Sequence, residues 1–339
     1  MKAIIRAIEY HVPERLLTNV ELALLYPEWT AERIEKKLGI ATRHIAAENE
    51  TASDLGVKAV ERLFATGVCR PAEIDYLLFC TQSPDYFLPS SACIMQERLG
   101  IPQGAGALDF NLGCSGYVYG LGLAKGLIET DQARNVLLVT SETYSKMLHP
   151  KDKSVRTLFG DGAAATLVRA EDLSYDAIGP FVVGTDGRGA KNLIVEAGAF
   201  RKRVAEDVPV FNEDGNPKCD SCLYMNGGEI FTFSLVTVPK LVNDLLTKAN
   251  VQMTDINLFV FHQANQYMLD FLRKKCGIPE SRFHVSLRNS GNTVSSTIPI
   301  ALKNAVDAGV LLPGARVMLV GFGVGYSWGA TMIHWRGGK

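Results

Sequence analysis

An α/β fold made of two copies of one unit is predicted by two observations. Apolar runs of strand length alternate with amphipathic helical stretches along the chain, and the order of those elements repeats after about half its length. The runs "IDYLLFC" (74–80), "NVLLVT" (135–140), "INLFVFH" (256–262) and "RVMLVGF" (316–322) are near-continuous in apolar residues, as strands covered on both faces are. Between them, "SDLGVKAVERLFATG" and "PIALKNAVDAG" have amphipathic helical spacing. The second opens near Pro299 and closes at Gly309, residues that suit a helix's first turn and its end.

Laying one half on the other defines the repeat. The first half runs through "DYLLFCTQS", "RLGIP", "LDFNLGCSGYVYGLGLAKGLI" and "RNVLLVTSE", and the second through "NLFVFHQAN", "KCGIP", "FHVSLRNSGNTVSSTIPIALKNAV" and "ARVMLVGFG". Each goes strand, loop, helix, "GIP", strand, special loop, helix, strand, and the two units are placed at residues 1–175 and 176–339. Cys114 stands 12 residues after Pro102 and Asn292 stands 13 after Pro279, so both occupy the turn before the corresponding helix. His262 ends the second unit's first strand, where the first unit has Cys80. Strand ends of α/β sheets commonly build ligand crevices, and packing about a pseudo-twofold axis would make Cys114, His262 and Asn292 neighbours there.

The 339 residues carry 35 basic and 36 acidic side chains, which argues against nucleic acid or an anionic membrane as partner. Lys2, Arg6 and Glu9 interrupt the apolar character of the N-terminal segment, so no signal peptide is predicted and a cytoplasmic location is expected. The longest uncharged stretch, residues 317–333, contains four glycines and reads as strand, loop and strand rather than a membrane span. Seven scattered cysteines fit reduced thiols better than a disulfide framework. Cys219 and Cys222 have the CxxC spacing of a zinc or redox pair. With no second CxxC, no HxxxH and no thioredoxin-like unit, they are expected to be ordinary loop thiols, and no metal site is expected.

"GCSG" has the form of a nucleophile elbow, in which small residues permit a tight strand-to-helix turn that presents the middle side chain. The N-terminus of the following helix, expected from 115 to about 128, would favour thiolate, so a lowered Cys114 pKa is expected. A cysteine buried as a small hydrophobe needs no such glycines. Taken singly, His262 reads as a structural strand-end residue and Asn292 as a turn residue, and their matched repeat positions are what point to function. A cysteine nucleophile with two hydrogen-bonding partners suits covalent acyl chemistry, the partners stabilising an oxygen that gains negative charge. A papain-like protease uses the same residue types, but there the asparagine orients the histidine as a base, whereas the duplicated units here turn both toward substrate.

At these residues the chain resembles the thiolase-fold condensing enzymes, and within them β-ketoacyl-acyl-carrier-protein synthase III. The landmarks are "GIATRH" near residue 40, "NLGCSG", "FGDGAAATLV" at 159–168, "MNGGEIF" at 225–231, "HQAN", "NSGNTVSST" and "GFGVGYSWGA" at 321–330, in family order over almost the whole chain. The resemblance implies a five-layered αβαβα sandwich of two duplicated halves, assembled as a homodimer. A second histidine stands in place of Asn292 in elongating ketosynthases, and thiolases have a second cysteine in a glycine loop that here reads "GFGVG".

The same resemblance implies that acyl-CoA acylates Cys114, and that the enolate of a malonyl thioester, malonyl-ACP or another, attacks the acyl group after losing CO₂. His262 and Asn292 would donate hydrogen bonds to the thioester carbonyl, and the backbone N–H groups of Cys114 and Val324 would form the oxyanion hole. Trp29, Lys153 and Asn265 would bind CoA or pantetheine, Phe322 and Leu88 would border the acyl pocket, and Arg273, Lys274 and Lys275 would dock the carrier protein. CoA thioesters are substrates, and no cofactor is implied.

Several positions depart from the family pattern. Tyr267 and Thr232 replace an arginine and a lysine of the carrier-protein patch, and "RKR" at 201–203 reads either as compensating charge or as solvated surface. Leu88 replaces a phenylalanine that closes the acetyl pocket across the dimer, which leaves room for longer or branched chains unless Phe87 swings in. The longer segment between Trp29 and "GIATRH" leaves Lys37 unassigned, and Glu142 reads as a surface or helix-capping carboxylate at least as well as a pocket wall. Two other functions use the same features: transfer of the acyl group to an alcohol or amine, and a non-catalytic partner subunit of a condensing complex, the latter opposed by the intact Cys-His-Asn set.

Overall fold

The computed structural model describes residues 1–206, 210–211 and 215–337. Two five-stranded mixed sheets dominate it. The first has the spatial order Lys2–His11, Gly162–Glu171, Asn135–Glu142, Tyr76–Cys80, Gly106–Phe110. The second has the order Ile178–Thr185, Ser327–His334, Arg316–Gly323, Leu258–Phe261, Phe283–His284. Position by position, the strands predicted as repeat partners occupy equivalent places: in each sheet the pairings are parallel toward one edge, at Gly106–Phe110 or Phe283–His284, and antiparallel toward the other.

Successive strand residues face opposite sides, so an apolar strand buries one set of side chains in each of two layers. In Tyr76–Cys80, Leu77 and Phe79 pack with Leu55, Val60 and Leu63 of the outer helix Ala52–Ala65. Leu78 instead joins Tyr117, Leu121 and Ile128 of helix Gly116–Glu129. Leu258 and Val260 of the second sheet reach the same middle cluster, together with Ile298, Ala301 and Leu302 of helix Thr297–Asp307. Phe259 and Phe261 turn outward to Val238, Leu241 and Leu245 of helix Gly227–Ala249 and Leu269 and Leu272 of helix Gln266–Lys275. The helix Ser91–Arg98 joins Ala52–Ala65 in the first outer layer through Ala92 and Met95, so helix pair, sheet, helix pair, sheet and helix pair make the five layers of the expected αβαβα sandwich.

The uncharged 317–333 stretch forms the strands Arg316–Gly323 and Ser327–His334 and their turn. Among the described residues, one helix, Gly227–Ala249, is long and apolar enough to cross a membrane, and it lays Val238, Leu241, Val242 and Leu245 on the second sheet's outer face. Cys219 and Cys222 form a disulfide, contrary to the expectation of free loop thiols. The turn that brings their Cα atoms to 5.3 Å supplies the proximity that spacing alone did not establish.

Candidate active site

Cys114, His262 and Asn292 line one apolar cavity of about 100 Å³, together with Phe159, Leu193, Ile230, Phe322 and Gly323. Each arrives from the end of its element. Cys114 precedes the helix Gly116–Glu129, His262 follows the strand Leu258–Phe261, and Asn292 lies just before a short 3₁₀ turn, Val294–Ser296, that leads into Thr297–Asp307. The "GCSG" glycines permit close approach rather than a strained cysteine, since Cys114 is not among the residues of positive φ. A Cβ on Gly113 would lie 2.5 Å from Gln82 Oε1 and 2.7 Å from Val324 Cγ1, and one on Gly116 would lie 2.4 Å from Cys80 Sγ. Across the cavity, a Cβ on Gly323 would fall 2.8 Å from Cys114 Sγ, so this glycine too is required by the sulfur's position. The strained residue is Val294, buried with φ +54, a costly conformation for a β-branched side chain two residues after Asn292.

The Cys114 thiol is not lowered in pKa as expected. Burial pushes it up to about 12, hydrogen bonds from the Val324 N–H and its own N–H pull it down, and Glu142 adds to the rise. Those two N–H groups are the ones named from the sequence as an oxyanion hole, and both address the sulfur here. His262 is held neutral, burial lowering its pKa to about 3, and its ring meets Phe322 edge-on at 5.7 Å. Thr297 Oγ1 lies 2.8 Å from His262 Nδ1 and 3.0 Å from the Val294 carbonyl, and its single proton can serve only one of them at a time. Asn292 Oδ1 accepts the Val294 N–H at 2.9 Å, which leaves its amide NH₂ as the donor end beside the cavity.

A larger opening of about 770 Å³ shares Leu158, Met225, Gly227, Asn265 and Met268 with this cavity and continues it outward. Trp29 and Lys153 line it, as does Lys37, which the sequence left unassigned and which stands 4.6 Å from the Trp29 ring centroid. Lys153 is ion-paired with Glu28 at 2.8 Å, and Asn265 caps the helix Gln266–Lys275 through the Met268 N–H while facing both spaces.

Sequence comparison agrees with this geometry. Residues 108–187 match the family model described as 3-oxoacyl-[acyl-carrier-protein (ACP)] synthase III, and residues 246–335 match the model of its C-terminal part. The β-ketoacyl-[acyl-carrier-protein] synthase III of Clostridium perfringens is 35% identical over 325 residues, covering 95% of this chain and 96% of that protein. The chain belongs to the β-ketoacyl-[acyl-carrier-protein] synthase III family. A 2.1 Å crystal structure of a 3-oxoacyl-(acyl-carrier-protein) synthase III has a TM-score of 0.98 at 55% identity, over 99% of this chain and 100% of that one. The β-ketoacyl-[acyl-carrier-protein] synthase III of Thermus thermophilus gives 0.86 at 37%, over 99% and 100%.

Two sequence expectations, for Arg273 and Glu142, are corrected by position. Leu88, expected to act across a dimer, is 81% exposed beside the exposed Phe87, on a loop that runs outward between the strand Tyr76–Cys80 and the helix Ser91–Arg98. Arg273 is not a free surface cation like Lys274 and Lys275, since its guanidinium folds back to the Ile278 carbonyl and Glu280 at the helix end. Glu142 is neither surface nor cap: it is completely buried at the end of its strand, in electrostatic reach of Cys114. Its place was readable from the repeat, where Glu142 corresponds to Gly323, the residue packed on the sulfur. Of "RKR", Lys202 pairs with Asp220. At the mouth, Tyr267 stacks on Phe231 at 5.7 Å, an aromatic rim where the family pattern has charge.

Proposed function

We propose that Cys114 takes an acyl group from acyl-CoA and that His262 and Asn292 stabilise the enolate of a malonyl thioester, carried by ACP, as it condenses with that group. The observation that carries this reading is the meeting, in one apolar cavity, of a thiol addressed by two backbone N–H groups with a neutral histidine and a fixed amide. In the first step the sulfur attacks the thioester carbonyl, the N–H groups of Cys114 and Val324 hold the oxyanion, and the thiol proton leaves with the CoA sulfur as CoA-SH. In the second, the malonyl carboxylate departs as CO₂, and its electron pair passes through the enolate to form the new carbon-carbon bond. The released cysteine sulfur takes up one proton.

His262 acts in its Nε2–H form once the Thr297 hydroxyl turns its proton from the Val294 carbonyl to Nδ1, so that it donates to the enolate oxygen alongside Asn292. Each such preorganised donor is worth about 3–4 kcal/mol in the transition state. Trp29, Lys37 and Lys153 around the outer opening suit the adenine and phosphates of CoA by stacking and charge. Neither step moves electrons to or from a carrier, so no cofactor enters the reading.

A homodimer is part of this reading. Gly106–Phe110 is an edge strand of the first sheet with Leu108 exposed on it, and its last residue, Phe110, lines an apolar groove with the exposed Leu123 and Val183. Pairing two copies along that edge covers it. Incubation with a panel of acyl-CoA chains and malonyl-ACP, followed by intact mass and CO₂ release, tests the chemistry. Acyl-Cys114 and CO₂ are expected from wild type and neither from Cys114→Ala; acylation without CO₂ release, even with an alcohol or amine acceptor present, rejects condensation.

A further inference from the structure

Glu142 ends the strand Asn135–Glu142 in the wall behind the nucleophile, and the proposed two steps make no use of it. Its carboxylate is held on both sides. Oε2 accepts the Gln82 N–H and the Ser83 hydroxyl, each at 3.0 Å, and Oε1 accepts the Ser295 hydroxyl at 2.9 Å. These partners are the residues against which the cysteine turn is built. Gln82 abuts Gly113 on one side of Cys114, and Ser295 with Cys80 abuts Gly116 on the other. Gln82 is fixed in turn, accepting the Tyr144 hydroxyl at 2.5 Å and donating to Asn111 Oδ1 at 3.0 Å.

The titratable groups facing this carboxylate are acids from every neighbouring element. Cys80 comes from the adjacent strand, Cys114 from the nucleophile turn, Tyr144 from the segment after Glu142, and Asp161 from the loop before Gly162–Glu171. Lys146 bears on Asp161. A buried cluster of acids without its own cation does not readily hold two negative charges, so ionisation of one member opposes that of another. Burial accordingly pushes Glu142 up to about 8, against the pull of its three donors.

We propose that Glu142 is a positioning residue that controls the ionisation of Cys114: as the neutral acid it lets the thiolate form, and as the carboxylate it holds the sulfur as a thiol. The inference rests on Cys114 being the reactive thiol. Between pH 7 and 9 the wild type then gains thiolate more slowly than a single ionisation requires, because Glu142 loses its proton over the same interval. Glu142→Gln mimics the neutral acid at every pH.

The test is the rate of iodoacetamide alkylation of Cys114 between pH 6 and 10, read by mass on the peptide that contains it. Glu142→Gln and wild type are expected to coincide near pH 7 and to separate to about tenfold at pH 9, the variant faster, the size of a one-unit shift in thiol pKa. Ser295→Ala, which removes one donor from the carboxylate and keeps it neutral to higher pH, is expected to deviate in the same direction and serves if Glu142→Gln does not fold. In the wild type, an infrared carboxylic acid band titrating near pH 8 is expected. Superimposable alkylation profiles, or no carboxyl band titrating above pH 6, overturn the proposal. Acylation by acyl-CoA tests the nucleophile itself, so either reading can fail without the other.

Discussion

At the scale of single residues, the proposed enolate donor depends on one hydroxyl proton. Thr297 sits 2.8 Å from His262 Nδ1, and only when its proton points there does Nε2 carry hydrogen toward the cavity. Thr297→Val removes that control while keeping the side chain's shape, and Thr297→Ser restores it. Condensation in Thr297→Val is expected to fall about tenfold with acylation of Cys114 nearly unchanged, and His262→Ala is expected to lose about 10²–10³ in condensation. Equal loss of both steps in Thr297→Val, measured by single-turnover acylation beside CO₂ release, would remove the tautomer argument. The sequence exposed Cys114, His262 and Asn292 because glycines and a repeat mark them, and a repeat is a local pattern. The role of Thr297 was not legible, because it depends on a partner 35 residues distant; the place of Glu142 was readable from the repeat, but its donors, about 60 residues away at Gln82 and Ser83, were not.

Among the elements, the ends of strands carry the site and their middles carry the fold. Near-continuous apolar strands could be recognised because both faces are buried, and the two units could be matched because their strands take equivalent places. The outlying course of the 81–90 segment was not legible in the residue pattern itself, only in the family resemblance that sets Leu88 across a dimer: loop direction is set by packing that leaves no periodic trace. The strand Arg316–Gly323 joins both roles at its last residue, where Gly323 faces Cys114. Gly323→Ala would force its Cβ to within 2.8 Å of Sγ, closer than packed atoms tolerate. The expected result is a folded variant destabilised by about 1–3 kcal/mol, with acyl-Cys114 formation strongly slowed. Wild-type acylation in this variant, measured by intact mass, would show that the sulfur does not need the place that the glycine leaves it.

Over the whole molecule, stability has to tolerate groups that burial keeps neutral, and burial lowers the pKa of four histidines, His262 and His11 furthest, with His284 and His334. His262 is held near pKa 3, and His11 near 4, chiefly by burial and then by Arg62 and Lys58, with both His11 ring nitrogens buried and without a partner. An unfolded chain returns each ring to its ordinary value of about 6.5, so as pH falls below that point the unfolded state takes up protons that the folded state refuses. Stability from both groups is therefore fully present above about pH 6.5 and is lost toward pH 4, by about 1.4 kcal/mol per pH unit for each histidine. The fold's acid limit follows from this sum more than from its surface ion pairs, which are individually weak. His11 touches neither cavity, so it separates this cost from catalysis. His11→Leu is expected to keep condensation at pH 7 while its urea midpoint, followed from pH 7 to 5, declines less steeply than that of the wild type. Parallel declines would mean that the His11 ring is protonated in the folded protein as readily as in the unfolded chain, and that other groups set the acid limit.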